Sequence, residues 1–387
     1  MIPVSYSFRN IKRRPWRSLI TTVGVMVVVF ASVLMMSLAR GVYKRISVSG
    51  EEENVLLISR SGQNTMFSSI DEDEVVSLST IPGLAQTSYG EPAISPEIMH
   101  RPMVRIGTDE NKTFAPINVR GVEPVAFAVH RSVSIIEGRL PENDFEMLAG
   151  SSAHVKLGLP EEVLQLGSIV EFEKNKWTVC GVFDAKGSLI ESELWVNARD
   201  LQNVMRRRTY TFAVFRLADA ASMKDTMALF GETGAYERFF KGWPEAEYYQ
   251  QFTSYLSWVL WLSYFMVAVI TVAGALIGIN TMYTAIINRI KEISTQRILG
   301  FGRFEIFISL LAESLVLSVA GGILGVGLGL CINGLPLKLS YGAFFLVVDF
   351  FVIISSIALS AFIGIAGAVI PSIKGLRLSI VEGLRYD

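Results

Sequence analysis

Four long apolar stretches constrain what this chain can fold into. They cover residues 19–38, 256–282, 308–332 and 344–370. Each is long enough to cross a hydrocarbon core of about 30 Å, which takes about 20 helical residues. One stretch lies near the start and three lie near the end, with residues 45–252 between them. The sequence therefore predicts an α-helical membrane protein with four transmembrane helices and one large domain inserted between the first two, which excludes most soluble enzymes.

The distribution of basic residues predicts the orientation of the chain, because Lys and Arg near helix ends stay on the cytoplasmic side. Residues 1–18, the loop at 288–304 and the segment after the fourth stretch are rich in Lys and Arg. Residues 45–252 instead hold 20 basic and 30 acidic residues, a net charge of −10. We therefore expect both termini and the loop at 288–304 to be cytoplasmic, a first helix over 19–44, and residues 45–252 outside.

A cleaved signal peptide is the alternative interpretation of the first stretch, since Ser37, Leu38 and Ala39 resemble a cleavage site. Its apolar run exceeds the usual length of about 7–15 residues, which favours a retained anchor. Arg40 and Lys44 on the outer flank run against the predicted orientation.

Residues 45–252 have the patterns of an α+β domain. Alternating or β-branched runs predict strands at 54–59, 168–172, 177–183, 193–196 and 211–217, with a hairpin turn at 173–176. Helical patterns cover 71–80, 197–205 and 222–230, with Asn197 as an N-cap. We predict that residues 51–116 and 208–250 pair as a membrane-proximal lobe and that 117–207 form a β-rich distal lobe.

Aromatic residues are concentrated at 248–261, before the second apolar stretch. Tyr and Trp gather where helices cross the bilayer surface, so this segment is either an interfacial belt or a helical stalk that begins outside. The two cysteines, Cys180 and Cys331, are either free, packed thiols or one pair.

The sequence contains no recognised catalytic motif. Its three histidines are scattered, and it has no C-x-x-C or G-x-S-x-G segment. It also has no Gly-Lys dipeptide and hence no P-loop. We expect a non-catalytic chain without a metal or cofactor of its own, so that another chain binds ATP and Mg²⁺ if the work is ATP-driven.

Three C-terminal segments carry a family resemblance: GINTMYTAIINRIKEISTQRILGFG at 278–302, AGGILGVGLG at 320–329 and PSIKGLRLSIVEGLRYD at 371–387. They resemble the FtsX-like permease domain of ABC transporters, in particular the MacB-type permeases (type VII). Residues 119–122, 137–139, 166–167 and 179–183 are similar to the MacB-like periplasmic core domain. The chain departs from the family pattern at Asn288, where Glu is frequent, at Ser294, where Gly is usual, and at Ser379, where Pro is usual.

The resemblance implies a permease domain over 253–387 and a stand-alone permease subunit without a fused ATPase. Its implied partners are two copies of an ABC ATPase subunit, a second permease copy or paralogue, and membrane lipids, with no nucleic acid. A periplasmic adaptor and an outer-membrane channel are further candidate partners. The implied function is mechanotransmission at a bacterial inner membrane, acting on a lipoprotein, lipid, peptide or amphiphilic drug.

Two alternatives to transport stay open. One is an FtsX-like regulator of an extracellular cell-wall hydrolase, for which the outer domain is larger than expected. The other is a membrane sensor module, which usually has more than four transmembrane helices.

The segment 288–304 is the candidate site for coupling to the ATPase. Its candidate residues are Arg289, Ile290, Ile293, Arg297 and Ile298. The isoleucines and Arg297 recur at helical spacing, so one side of a short helix could be buried in the ATPase while Arg289 and Lys291 project elsewhere. Gly300 and Gly302 are expected to end this helix. The alternative is a basic loop held at anionic headgroups.

Glycines at helical spacing predict close helix packing, either within one subunit or between two. They are Gly274 and Gly278 in the second stretch and Gly321, Gly325 and Gly329 in the third. Glu313 and Asp349 are ionisable residues at membrane depth and therefore functional candidates. We expect Glu313 to cap a helix or pair with Arg297 or Arg303, and Asp349 to reach the bilayer surface.

Overall fold

The computed structural model of the chain describes residues 15–107, 113–339 and 342–377. The described residues form two compact units. Residues 15–41, 257–335 and 345–377 form the membrane unit, and 42–107, 113–256, 336–339 and 342–344 form the outer unit. The helices Pro15–Ser47 and Glu245–Ile287 each contribute residues to both units, because the boundaries between the units fall within them.

The helices are α1 (Pro15–Ser47), α2 (Glu72–Ser77), α3 (Ala126–Val129), α4 (Ala153–Leu157), α5 (Ala198–Met205), α6 (Met223–Ala228), α7 (Glu245–Ile287), α8 (Ile290–Ile298), α9 (Arg303–Cys331) and α10 (Phe350–Arg377). The strands are β1 (Asn54–Ser59), β2 (Ile94–His100), β3 (Met103–Ile106), β4 (Thr113–Pro116), β5 (Val119–Val122), β6 (Ser134–Gly138), β7 (Glu146–Gly150), β8 (Ile169–Phe172), β9 (Asn175–Asp184), β10 (Leu194–Asn197), β11 (Phe212–Arg216), β12 (Phe240–Pro244), β13 (Pro336–Leu339) and β14 (Gly342–Phe345).

Four described helices are long and apolar enough to cross a membrane: Ser18–Ser47, Leu256–Ile287, Arg303–Cys331 and Phe350–Leu376. This confirms the four predicted spans. The fourth begins later than the predicted residue 344, because Gly342–Phe345 forms β14. Asp349 sets the start of α10, since its Oδ1 accepts a hydrogen bond from the Val352 amide at 3.0 Å, as an N-cap residue does.

The outer unit is built around a twelve-stranded sheet of described residues. Its strand order is β12-β1-β11-β2-β5-β10-β7-β9-β8-β3-β4, with β6 paired to β9. The predicted hairpin turn lies between β8 and β9, where Glu173 and Lys174 both have positive φ, as a tight hairpin requires. Fully buried Trp177 and Trp195 fill the core of this mixed α+β domain, which confirms the predicted fold class.

The sheet does not follow the predicted lobe boundary at residue 117. As expected, β1 lies beside β11, with Val55 opposite Phe215. However, β3 and β4 pair with each other and β3 pairs with β8. Residues 103–116 therefore belong with the segment 117–207. The assignment from sequence was wrong there because an isolated strand pattern does not reveal its pairing partner.

Local signals on the remaining predicted elements agree with the structure. Asn197 caps α5, with its Oδ1 accepting from the Arg199 amide at 2.9 Å. The aromatic segment lies in α7, where Tyr248 and Tyr249 are buried in the outer unit while Trp258 and Trp261 are exposed. Cys180 and Cys331 are free thiols.

Candidate functional site at the cytoplasmic helix and in the outer unit

The predicted coupling segment contains one short helix, α8, with a defined end. Gly300 has φ +94, and its amide donates to the Arg297 carbonyl at 3.2 Å. The Phe301 amide donates to the Gln296 carbonyl, also at 3.2 Å. This pair of bonds is a Schellman motif, in which a left-handed glycine ends a helix. Gly302, which the sequence predicts to end α8 together with Gly300, stands at the N-cap position of α9.

Two of the candidate coupling residues are buried inside the membrane unit. Ile290 and Ile293 are 5% and 6% exposed. Ile293 packs in a cluster with α7, α9 and α10, whose members include Met282, Ile286, Ile306, Leu310 and Leu376. The predicted apolar side of α8 therefore faces its own helices, which contradicts the expectation that Ile290 and Ile293 are open to a partner.

Arg289 does not project away from the protein, which contradicts the prediction from the sequence. Its Nη1 donates to Glu313 Oε2 at 2.8 Å, and both side chains are at most 10% exposed. Glu313 thus pairs with Arg289, not with Arg297 or Arg303. The tight turn between α7 and α8 brings residue 289 against α9, which local spacing could not indicate. Removing either partner would leave a buried charge, so the pair fixes the turn to α9.

The apolar surface that α8 leaves exposed lies at its C-terminal end. Ile298, Leu299 and Phe304 are 58%, 72% and 73% exposed, and we call them the turn patch. Arg297 is half-buried beside it. Sequence reasoning had singled out Ile298 alone. Leu299 and Phe304 are apolar residues close to Gly300 and Gly302, but this position alone does not expose a side chain, because Phe301 between the two glycines packs against the cluster that contains Ile293.

The glycine row of α9 packs against α1 within the same chain. A Cβ at Gly321 would lie 2.6 Å from the Thr22 carbonyl oxygen, and one at Gly325 would lie 2.8 Å from that of Met26. A Cβ at Gly329 would clash with the Val33 side chain. These contacts place the row inside one subunit. Close backbone approach of this kind is what small residues permit in membrane helices.

Gly274 and Gly278 of α7 are used in the same way. A Cβ at Gly274 would lie 2.8 Å from Val28 Cγ1, and one at Gly278 would lie 3.3 Å from the Gly367 Cα. Asp349 also has a partner within the membrane unit, because Arg40 Nη2 donates to its Oδ2 at 2.6 Å. This ion pair explains why a basic residue, Arg40, lies on the outer flank of α1, where it runs against the charge distribution that predicts the orientation.

The outer unit holds a buried charge cluster that the sequence did not suggest. Arg120 on β5 donates from Nε to Glu193 Oε2 at 2.7 Å and from Nη1 to Glu97 Oε2 at 2.7 Å. His130 Nε2 lies 2.7 Å from Glu97 Oε1 and His130 Nδ1 lies 3.6 Å from Glu245 Oε1. All five side chains are at most 7% exposed. Charged residues inside buried strand patterns were the available signal.

Mutual attraction sets the ionisation of this cluster. Despite burial, which opposes charge, His130 and Arg120 lower the pKa of Glu97 to about 2. The carboxylates of Glu97 and Glu245 raise the pKa of His130, again against burial. Burial raises the pKa of Tyr249, so its phenol stays neutral. The Tyr249 hydroxyl lies 3.3 Å from Arg120 Nη2.

The cluster also holds the start of α7, the helix that continues into the second span. Glu245 is the first residue of α7 and is fully buried. Its Oε2 accepts from Asn54 Nδ2 at 2.8 Å and from the Glu51 amide at 3.1 Å. The first turn of α7 is therefore tied to β1, β2 and β5 of the outer sheet. The described residues contain no group of His, Cys, Asp or Glu suited to hold a metal ion.

Comparison with known proteins identifies the family. The MacB-like periplasmic core domain matches residues 18–232, and the FtsX-like permease C-terminal domain matches residues 264–380. The chain belongs to the family of MacB-like ABC transporter permeases. It is a multi-pass membrane protein with an extracytoplasmic domain between its first and second membrane helices.

Its relatives include ABC transporter proteins of different length. A macrolide export ATP-binding/permease protein MacB of Bdellovibrio bacteriovorus is 26% identical over 405 residues, covering 98% of this chain and 61% of that protein. An ABC transporter permease of Methanocaldococcus jannaschii is 22% identical over 408 residues, covering 99% of this chain and 98% of that one. The crystal structure of the periplasmic region of MacB from Actinobacillus actinomycetemcomitans aligns at 14% identity with a TM-score of 0.38, covering 55% of this chain and 96% of that chain.

Proposed function

We propose that this chain is the permease subunit of an ABC transporter and that it passes movements of a separate ATPase subunit to its outer unit. ATP and Mg²⁺ belong to the ATPase in this proposal. The assembly contains two ATPase copies and a second permease copy or paralogue in a bacterial inner membrane. A lipoprotein, lipid, peptide or amphiphilic drug is the cargo, handled outside the cytoplasm, with an adaptor and an outer-membrane channel as further partners.

The observation that supports this proposal best is helix α7. Its 43 residues run from Glu245 to Ile287, a length of about 65 Å at 1.5 Å per residue. A bilayer core needs only about 30 Å. The first residue of α7 is held in the charge cluster of the outer unit, and its last residue is followed after two residues by α8. One continuous helix thus links the cytoplasmic turn with the outer sheet.

The turn patch is the proposed contact for the ATPase. Ile298, Leu299 and Phe304 keep most of their apolar surface exposed, whereas Ile290 and Ile293 are already buried. Burying one leucine side chain contributes about 1.5–3 kcal/mol, and central interface residues commonly cost more than about 1 kcal/mol when removed. Leu299→Asp should therefore weaken association with the ATPase by about 10-fold or more, since about 1.4 kcal/mol is a factor of ten.

The test measures how much ATPase co-purifies with the full chain in mild detergent, using the ATPase that accompanies the wild-type chain from its native membrane. Thr295→Asp is the matched control, because it adds the same charge at an exposed polar position of α8. We expect loss of the ATPase with Leu299→Asp and retention with Thr295→Asp. Full ATPase recovery and transport with Leu299→Asp would refute the coupling assignment. Ile293→Asp is a weaker test, because it also disrupts the core of the membrane unit.

A further inference from the structure

The outer unit contains a cavity of about 380 Å³ beside the charge cluster. It lies between the first turns of α7, which contribute Tyr248 and Tyr249, and the face of the sheet that carries Leu56, Met99 and Phe212. The segment 63–66 borders it as well. Pockets that bind small molecules have volumes of about 300–1,000 Å³, so this cavity is large enough for a ligand.

The lining of the cavity is both apolar and polar. Its apolar part includes Met99, Phe212 and Tyr248, all less than 10% exposed. Its polar part includes the buried Arg120 and Glu193 together with Asn64 and Asn118. A wall of this kind binds an apolar group by releasing water, while fixed polar groups orient a hydrogen-bonding head.

The polar part is already neutralised within the protein. The Arg120 guanidinium is held by Glu193 in a bidentate pair, with Nε–Oε2 and Nη2–Oε1 distances of 2.7 and 3.0 Å, and by Glu97 from behind. Behind this pair, His130 lies between Glu97 and Glu245. A charged ligand would have to break one of these buried pairs to gain a counter-ion from the cluster, which is costly in a desolvated site.

We propose that this cavity binds an uncharged amphiphile, with its apolar part against the aromatic wall and a hydroxyl or amide head at Arg120, Glu193 and Asn118. The site belongs to the outer unit alone. This proposal goes beyond the proposed coupling to an ATPase and does not depend on it.

The test is protection of a cysteine at the cavity from a membrane-impermeant maleimide, in the full chain reconstituted in lipid nanodiscs. Cys180→Ser and Cys331→Ser remove the native thiols, and Thr65→Cys places one in the cavity lining. Three probes with the same tail are compared below their micelle concentrations: decyl glucoside, decyl sulfate and decyltrimethylammonium. Decyl glucoside should slow the labelling of Thr65→Cys severalfold, and the two charged probes should slow it less.

Ser61→Cys is the matched control, because Ser61 lies in the same loop, is exposed and does not line the cavity. Its labelling rate should not respond to any probe. Adding Asn118→Trp to the Thr65→Cys chain fills the cavity and should abolish protection, while unchanged urea-dependent protease resistance of the outer unit shows that the domain is folded. Equal slowing at both positions, no slowing by decyl glucoside, or equal protection by the charged probes would overturn the proposal. ATPase binding plays no part in this readout.

Discussion

Replacing Arg120 by methionine should strongly destabilise the outer unit. Arg120 is 1% exposed and is the cation between Glu97 and Glu193, both buried. Its guanidinium also lies 5.3 Å from the Phe212 ring centroid and 5.7 Å from that of Trp195. Arg120→Met keeps most of the apolar stem but leaves two carboxylates without their cation. Breaking a buried pair in this way costs about 3–5 kcal/mol.

Arg139→Met is the matched control, since Arg139 makes a similar two-point contact on the surface. Its Nη1 and Nη2 lie 2.7 and 2.6 Å from Glu146 Oε2 and Oε1, and its side chain is 44% exposed. Once Arg139 is removed, Glu146 keeps the hydrogen bonds that the Glu142 and Asn143 amides donate to it, and ion pairs at the surface contribute little to stability. Arg139→Met should therefore leave the stability nearly unchanged, although the bond geometry is as good as that of Arg120.

The assay follows urea-dependent protease resistance of the outer unit in the full chain in nanodiscs, since a chain with two units need not unfold in one step. The deficit of Arg120→Met should shrink as the pH falls. Buried carboxylates without a cation have a raised pKa in the folded state, so the folded variant takes up protons and gains stability on acidification. Similar losses for Arg120→Met and Arg139→Met, or a deficit that grows on acidification, would refute the reasoning.

Two further predictions concern helix packing and pH. Gly325→Ala should destabilise the membrane unit by about 1–3 kcal/mol in thermal unfolding, because its Cβ would lie 2.8 Å from the Met26 carbonyl oxygen. Gly327→Ala is the control. Its Cβ would have no neighbour within 4 Å, so this variant should be neutral or slightly more stable. Equal effects would contradict the packing of α9 on α1. The lowered pKa of Glu97 contributes stability that is complete above the ordinary pKa of 4.5 and is lost as the pH falls toward about 2. The raised pKa of His130 contributes stability that is complete below the ordinary pKa of 6.5 and is lost as the pH rises through the folded-state pKa. The outer unit should therefore be most stable between pH 4.5 and 6.5. His130→Gln should remove the decline in stability above pH 6.5, as measured by urea-dependent protease resistance. An unchanged pH profile in this variant would show that His130 does not cause the decline.

Sequence patterns were sufficient wherever a property depends on neighbouring residues. The hydrophobic runs located all four membrane helices, and the turn residues located the β8–β9 hairpin and the Asn197 cap. The end of α8 at Gly300 also follows from local chemistry, because glycine readily adopts the left-handed conformation found there. The family resemblance rested on contiguous segments, and it is confirmed by the family matches over residues 18–232 and 264–380.

Patterns failed where contacts join distant segments. Helical spacing predicted that Ile290 and Ile293 share a buried face, but it could not tell whether that face meets a partner or the chain's own helices, among which Ile293 packs. The same ambiguity hid the pairing of Arg289 with Glu313, 24 residues further along the chain.

The sequence by itself therefore determined the membrane spans, the α+β character of the outer domain and the family of the chain. Hydropathy and turn propensity act over a few residues, so they can be read without knowing the fold. Only the tertiary structure decided which charges meet. Glu97 and Arg120 become neighbours because β2 pairs with β5, and Glu193 joins them because β10 lies on the other side of β5. Strand order in a sheet is set by packing of the whole domain, and that order places three separated charged residues around one buried site.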